Sequence, residues 1–282
     1  MQKKTLKRSG AVVLSLAAAA FALAPSATAA PGAELVTFGD SFTANPHFVS
    51  NTVSKNNLPA DLPVPPVDVT DGCAQGPNNW PRHLANGEGL SLADYSCTAG
   101  TSRTALDRLD RAIQNGAIGA STRYVVSMIG GNDYGGFGAI SNGIVPVKEE
   151  VQRAYSENMD AFVHRIREVA PNAEIILAGY PEVAAGDRIC MVQVAPNDPA
   201  GIDIPMASTY QEWMREQSIA SAERHGLKFV DNLNYTRGHN TCAPADIRHV
   251  AGAVDTETDW NMQLHPTDLG SRELARHIGA QM

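Results

Sequence analysis

Short apolar runs alternate with longer amphipathic segments along this sequence, and this alternation restricts the fold more than any other pattern in the chain. Apolar runs that are bounded by turn residues are typical of buried strands. We predict strands at Glu34–Phe38, Arg123–Ile129 and Glu174–Ala178, and weaker ones at Ser91–Tyr95 and Leu227–Val230. Helical spacing predicts helices at Thr104–Gly116, Lys148–Val169, Met206–His225 and from Thr267 to about Ile278. This order of strands and helices indicates an α/β fold, with a mostly parallel sheet between two layers of helices.

Two stretches interrupt the alternation. Ser50–Gly76 and Pro181–Pro205 are rich in proline and aspartate, and each contains a cysteine. The first is too long for an ordinary connection, so we predict a functional surface loop that is held by Cys73. The chain shows neither an internal repeat nor a linker, and one domain is the simplest organisation.

The N-terminus has a pattern of its own. A basic start precedes the apolar run Ala11–Leu23, which is followed by the small residues Ala27-Thr28-Ala29. This order is typical of a secretory signal peptide. The alternative is a membrane anchor, but a spanning helix needs about 20 apolar residues, more than this run supplies. We predict a signal peptide at residues 1–29 that is cleaved after Ala29, and a secreted domain at residues 30–282 without a membrane span.

The charge of the chain limits its partners. The sequence has 22 Lys and Arg against 30 Asp and Glu, a net charge of −8, and loss of the four basic residues of the leader would make it −12. No basic block occurs in the rest of the chain, so we expect no nucleic-acid partner. With 43% hydrophobic and 18% charged residues, the composition excludes wholesale disorder.

Four cysteines become informative if the protein is exported: Cys73, Cys97, Cys190 and Cys242. In an oxidising compartment an even number indicates two disulfides, although sequence alone does not choose among the three pairings. The sequential pairing, Cys73 with Cys97 and Cys190 with Cys242, closes the shortest loops, and we predict it. Zinc is the alternative because His239 is close to Cys242, but no second close pair completes a site. We therefore expect neither a metal nor another cofactor.

The residues after each predicted strand are the candidates for chemistry, because ligands bind at the carboxyl ends of parallel strands. Ser41 follows the first strand, where its hydroxyl can act as a nucleophile if a base and an oxyanion hole accompany it. Gly100 follows the second strand and Asn132 the third, where a backbone N–H and a side-chain amide can donate to an oxyanion. His265 lies on a loop before the last helix, where it can act as a general base. By itself the Ser41 segment is also typical of a helix cap or a turn, and the Asn132 segment of an Asn-Asp turn, whereas a buried structural role is less expected for His265 on its loop.

In this order, the four segments resemble the SGNH, or GDSL-type, hydrolases among secreted bacterial esterases and lipases. The matching blocks are Val36–Ser41, Gly100, Gly130-x-Asn132-Asp133 and His265-Pro266. The resemblance covers most of the chain after the leader. It implies the SGNH hydrolase fold, with a flavodoxin-like sheet, and a secreted monomeric hydrolase that acts on small-molecule or lipid esters.

The resemblance also implies a role for each residue. Ser41 would attack the ester carbonyl and form an acyl-enzyme, and His265 would take the proton and later give it to the leaving alcohol. The backbone N–H groups of Ser41 and Gly100 and the side-chain amide of Asn132 would form the oxyanion hole.

The sequence departs from the family pattern at one position. The family usually places an aspartate three residues before the histidine, a position that Met262 occupies here. In some secreted relatives a main-chain carbonyl orients the imidazole, and the Met262 carbonyl could do so in a Ser–His dyad. Alternatively Asp259 could fold back as the third member of a triad. We prefer the dyad because it requires no special loop.

Three other functions compete with this interpretation. An α/β-hydrolase would require Gly-x-Ser-x-Gly, whereas Ser41 is followed by Phe42-Thr43. An extracellular acyltransferase, moving acyl groups to or from cell-envelope components, shares the acyl-enzyme, so sequence motifs do not separate it from a hydrolase. A non-catalytic envelope-binding protein with the same fold is disfavoured, because the complete set of four site residues is present.

Overall fold

The computed structural model describes residues 32–56, 65, 67–136, 139, 142–196 and 198–282. The strands are β1 (Leu35–Gly39), β2 (Asp68–Thr70), β3 (Cys73–Gln75), β4 (Leu92–Asp94), β5 (Tyr124–Met128), β6 (Glu174–Ala178), β7 (Arg188–Gln193), β8 (Ala200–Asp203), β9 (Lys228–Val230) and β10 (Val254–Asp255). The helices are α1 (Ser41–Ala44), α2 (Phe48–Lys55), α3 (Trp80–Glu88), α4 (Ser102–Gln114), α5 (Lys148–Val169), α6 (Ala207–His225), α7 (Asn232–Tyr235) and α8 (Asp268–Gly279). The predicted signal peptide lies outside the described residues.

A five-stranded sheet in the order β4-β1-β5-β6-β9 forms the centre of the fold, and every neighbouring pair in it is parallel. Counted along the chain, these strands stand in the order second, first, third, fourth and fifth, which is the flavodoxin-like arrangement. The prediction of a mostly parallel α/β fold is therefore confirmed. In this topology the polar residues that follow β1 and β5 meet at one edge of the sheet.

Alternating side chains of the central strands bury two apolar clusters, one on each face of the sheet. On β1, Val36 and Phe38 pack with α4 and α5, whereas Leu35 packs with α3 and α8 on the opposite face. Val125 and Val126 of β5 divide between the two clusters in the same way. Because successive residues of a strand point to opposite faces and both faces are buried, these strands appear in the sequence as short continuous apolar runs.

Several predicted bounds agree with the structure and others differ by one or two residues. The helix at Lys148–Val169 and the strand at Glu174–Ala178 have the predicted limits. The last helix begins after Thr267, whose hydroxyl accepts a hydrogen bond from the Gly270 N–H and caps it. Caps of this kind contribute about 1 kcal/mol to stability.

The two interrupting stretches contain more regular structure than their composition predicts. The first, Ser50–Gly76, includes most of α2 and the antiparallel pair β2–β3. The second, Pro181–Pro205, forms β7 and β8, which with β10 make a three-stranded accessory sheet. Disulfides join Cys73 to Cys97 and Cys190 to Cys242, the pairing with the shortest loops. Each disulfide therefore fastens one of these stretches to another part of the fold. No helix among the described residues is long and apolar enough to cross a membrane.

Candidate active site

Ser41 lies at the first position of α1, directly after the carboxyl end of β1. The turn between them is tight, since a Cβ on Gly39 would lie 2.0 Å from the Thr43 Oγ1. Asp40 caps α1 by accepting a hydrogen bond from the Phe42 N–H at 2.9 Å. The backbone N–H of Ser41 belongs to the first turn, where a helix offers no internal acceptor, so it is available to a ligand.

His265 contacts Ser41 from a loop that is fixed by hydrogen bonds to the preceding chain and by a ring contact. Its Nε2 lies 2.7 Å from the Ser41 Oγ, a hydrogen bond between residues far apart in the sequence. The loop pairs with the preceding chain at Val250 and Pro266, and the Ala251 N–H donates to the His265 carbonyl at 3.0 Å. The ring also packs against Phe42, with the ring centroids 4.6 Å apart. The Ser41 hydroxyl and the His265 imidazole thus form a hydrogen-bonded pair in which the ring is fixed.

A main-chain carbonyl orients the imidazole, but it is not the predicted one. The His265 Nδ1 lies 2.7 Å from the carbonyl oxygen of Gln263, whereas the expectation was the carbonyl of Met262. The reason lies at Leu264, whose φ of 61° turns the chain between the two residues. That turn directs the Gln263 carbonyl toward the ring.

Asp259 does not occupy the position of a third catalytic residue in this structure. Its side chain is exposed, and its backbone carbonyl accepts a hydrogen bond from the Asp268 N–H at 2.8 Å. In a triad, a carboxylate would accept a hydrogen bond from the His265 Nδ1. Here that nitrogen is already paired with the Gln263 carbonyl. The partner of Nδ1 is thus a main-chain carbonyl, the arrangement expected of a Ser–His dyad.

The predicted oxyanion donors lie close together, yet most of them have partners within the protein. The Asn132 Nδ2 donates to the Gly100 carbonyl at 2.9 Å and to the Asp40 carboxyl at 3.2 Å. The Gly100 N–H donates to the Cys97 carbonyl at 3.0 Å. Asn132 lines the cavity beside Ser41. A developing oxyanion would have to compete with these internal acceptors.

Tyr180 is a member of the site that the sequence analysis did not identify. It follows β6, and its hydroxyl donates to the Asp40 Oδ2 at 2.6 Å and accepts from the Gly131 N–H at 2.9 Å. Its position after a buried strand was the available signal, because the same rule identified the candidates after β1 and β5. Tyr180 was not predicted because the residues after β6 match none of the four family blocks.

Burial changes the protonation of the two ionisable groups nearest Ser41. It raises the pKa of Asp40 to about 7, and the hydrogen bonds from Tyr180 and Phe42 oppose the rise. Burial lowers the pKa of His265 to about 4, and the Gln263 carbonyl partly offsets this effect. The imidazole is therefore neutral at pH 7, as a general base must be.

Ser41 and His265 line a cavity of about 320 Å³ with mostly apolar walls. The accessory sheet contributes Ile189 from β7, and Ile204 follows β8. Other apolar lining residues include Phe42, Ala184, Met214 and Leu264. A cavity with these walls suits a hydrocarbon group better than a sugar or a charged group.

A buried ion cluster lies close in the chain to the segment that pairs with the histidine loop. The Arg248 guanidinium lies 2.9 Å from Asp255 and 2.9 Å from Glu257, and Arg248 is 1% exposed. The Arg248 carbonyl accepts a hydrogen bond from the Thr267 hydroxyl at 2.9 Å, two residues beyond His265. The main chain at Arg248 is thereby bonded to the segment that carries His265.

The cysteine and histidine considered for zinc have other partners. Cys242 is bonded to Cys190, and the His239 ring stacks on His249 with the centroids 4.3 Å apart. Within the described ranges, no group of three or more His, Cys, Asp or Glu side chains is arranged to hold a metal ion.

Comparisons with known proteins point to one family. Residues 37–273 match the model of the GDSL-like Lipase/Acylhydrolase family. No curated protein matches the sequence. A phospholipase A1 from Streptomyces albidoflavus has a similar structure, with a TM-score of 0.58 and 19% identity, over 89% of this chain and 100% of its own. An extracellular lipase from Streptomyces rimosus gives a TM-score of 0.57 and 15% identity, over 88% of this chain and 99% of its own. At such identities the two structures bear on the fold alone.

Proposed function

Because the chain belongs to the GDSL-like lipase/acylhydrolase family, we propose that it is a serine carboxylic-ester hydrolase with Ser41 as nucleophile and His265 as general base. Family membership supports hydrolysis of esters in general. The observation that carries the assignment of residues is the 2.7 Å hydrogen bond between the His265 Nε2 and the Ser41 Oγ, at the wall of an apolar cavity.

The proposed reaction passes through an acyl-enzyme. Ser41 Oγ attacks the ester carbonyl carbon while the neutral His265 Nε2 takes the hydroxyl proton. The tetrahedral intermediate collapses, the bond to the alcohol oxygen breaks, and His265 returns the proton to that oxygen. Water then attacks the acyl-enzyme with the same base, which regenerates Ser41 and releases the acid. The Gln263 carbonyl accepts from Nδ1–H throughout, which fixes the tautomer that leaves Nε2 free to act as a base.

The oxyanion would be held by the Ser41 N–H and the Asn132 amide, with Gly100 as a further donor. The Ser41 N–H is available at the start of α1, whereas Asn132 and Gly100 would exchange their internal acceptors for the substrate oxygen. Preorganised donors of this type typically contribute about 10²–10³ in kcat each.

An apolar acyl or alcohol group is the part of the substrate that the cavity would hold. Its volume of about 320 Å³ and its walls of Ile189, Ile204 and Met214 favour a hydrocarbon chain. With a mature net charge near −12, the protein has no electrostatic reason to bind anionic membranes, so contact with a lipid ester would depend on apolar surface.

We assign the enzyme to the extracellular space. The leader pattern at residues 1–29 and the two disulfides support export of a hydrolase domain at residues 30–282.

Hydrolysis of p-nitrophenyl esters of increasing acyl length, with and without an added alcohol acceptor, tests the function. We expect the wild type to hydrolyse these esters and the folded Ser41→Ala variant to be inactive. Unchanged turnover in Ser41→Ala would contradict the proposal. Transfer of the acyl group to the alcohol in preference to water would identify the protein as an acyltransferase instead of a hydrolase.

A further inference from the structure

The carboxyl group of Asp40 is enclosed at the centre of the site. Asp40 is 2% exposed and stands next to the nucleophile in the chain. Its Oδ1 caps α1, and its Oδ2 accepts from both the Tyr180 hydroxyl at 2.6 Å and the Asn132 amide at 3.2 Å. The same oxygen therefore binds a phenol and a proposed oxyanion donor.

Tyr180 connects the ends of three neighbouring strands. It follows β6, it binds Asp40 after β1, and it accepts from the Gly131 N–H after β5. Its ring packs edge-on against Phe42, with the centroids 5.5 Å apart. Burial and the adjacent Asp40 raise the pKa of the phenol well above its usual value, so the hydroxyl stays protonated and donates.

We propose that Tyr180 is a positioning residue that controls, through Asp40, how readily the Asn132 amide is available to the oxyanion. This inference rests on the proposed ester hydrolysis. Both N–H groups of the Asn132 amide have acceptors, the Gly100 carbonyl and the Asp40 carboxyl. The transition-state oxygen must compete with the Asp40 carboxyl for the Asn132 N–H.

The distances indicate how Tyr180 weakens that competition. The Tyr180–Asp40 hydrogen bond at 2.6 Å is as short as charge-assisted O–H···O⁻ bonds are, whereas the Asn132–Asp40 distance of 3.2 Å is at the long end of the usual range. The Tyr180 hydroxyl is thus the stronger hydrogen-bond donor to the Asp40 carboxylate, and the Asn132 amide is bound to it only weakly. Without the phenol hydroxyl, an ionised Asp40 would hold the amide more tightly and would repel the oxyanion.

The same contact makes the site sensitive to pH. Two ionisable groups act on Asp40, Tyr180 from the end of β6 and Asp133 from the end of β5, and His265 lines the same cavity. Tyr180 favours the carboxylate, and Asp133 disfavours it by charge repulsion. Loss of the Tyr180 hydroxyl should therefore move the ionisation of Asp40 to higher pH.

Tyr180→Phe tests the inference, with Tyr95→Phe as the matched control. Tyr95 is also buried and also follows a central strand, but its hydroxyl accepts from Asn115, away from Asp40. With p-nitrophenyl butyrate, at a pH where Asp40 is ionised in both proteins, we expect Tyr180→Phe to lower kcat by about 10- to 100-fold, because small displacements of a catalytic group have effects of this size. We expect KM to stay within about twofold, since the phenol hydroxyl affects the transition state and not substrate binding. We also expect the upper inflection of the pH–kcat profile to move to higher pH, because the ionisation of Asp40 does so.

The outcomes separate this inference from the proposed function. A wild type that hydrolyses no ester would refute the function, and the inference with it. An active wild type with an unchanged kcat and pH profile in Tyr180→Phe would overturn the inference alone, as would a loss of kcat without a shift of the profile. If Tyr180→Phe does not fold, Asp40→Asn is the deciding variant. The asparagine oxygen can still cap α1, but the side chain at position 40 no longer ionises. Disappearance of the upper inflection in that variant supports the inference, and its persistence overturns it.

Discussion

The His265 Nδ1 lies 2.7 Å from the backbone carbonyl oxygen of Gln263. A main-chain carbonyl can hold the imidazole in one tautomer, but it carries no full charge with which to stabilise the imidazolium that forms during acylation. The proposed base therefore relies on geometry more than on charge, and replacement of Asp259 should have little effect on it.

Asp259→Asn tests the dyad. In a Ser–His–Asp triad, replacing the aspartate lowers kcat about 10⁴-fold. Asp259 is exposed and does not contact the imidazole, so we expect the kcat of Asp259→Asn to fall by less than about 3-fold. His265→Ala, measured under the same conditions, gives the full loss for comparison. A folded Asp259→Asn variant as inactive as His265→Ala would favour the triad.

The lowered pKa of His265 predicts a pH dependence of stability. The group is neutral in the folded protein down to about pH 4, whereas in the unfolded chain it binds a proton below its ordinary value of 6.5. Between these values the unfolded state holds more protons, so this histidine causes stability to fall as the pH falls from about 6.5 through about 4.

Urea unfolding of wild type and His265→Gln at several pH values measures this contribution. Comparison of the two proteins removes the effects of the other groups, including Asp40, whose raised pKa acts in the opposite direction. We expect wild type to lose more free energy of unfolding than His265→Gln over this interval. Equal losses would show that the imidazole has an ordinary pKa.

Arg248→Met should destabilise the protein strongly. The substitution would leave Asp255 and Glu257 without their 2.9 Å partner, and removing one member of a buried ion cluster typically costs about 3–5 kcal/mol. Activity should fall as well, because Arg248 lies in the chain that pairs with the histidine loop. Arg153→Gln is the control, since it breaks an exposed pair with Glu157 worth less than about 1 kcal/mol. Equal free energies of unfolding for the two variants would refute the prediction.

The central fold could be predicted because its signals are local. Lys148–Val169 has a helical apolar period that ends at a proline, and Glu174–Ala178 is a short apolar run followed by glycine. The family was predicted from four blocks, and the match over residues 37–273 confirms it. The helix α3 was not predicted, although its ends carry local signals: the cap Asn79, Pro81 in the first turn and Gly89 at the end.

The details of the site depended on contacts that the sequence does not display. Orientation of the imidazole by Gln263 follows from the positive φ of Leu264, a conformation that leucine rarely adopts. The contact of Tyr180 with Asp40 joins residues 140 positions apart. The internal acceptors of Gly100 and Asn132 likewise result from how neighbouring strand ends pack.

Covalent labelling with a fluorophosphonate, followed by peptide mass mapping, tests most directly the claim that Ser41 is the nucleophile and His265 its base. We expect a single adduct on Ser41 in the wild type, no adduct in Ser41→Ala, and much slower labelling in His265→Gln. An adduct on another residue, or a folded wild type that does not react, would contradict the account.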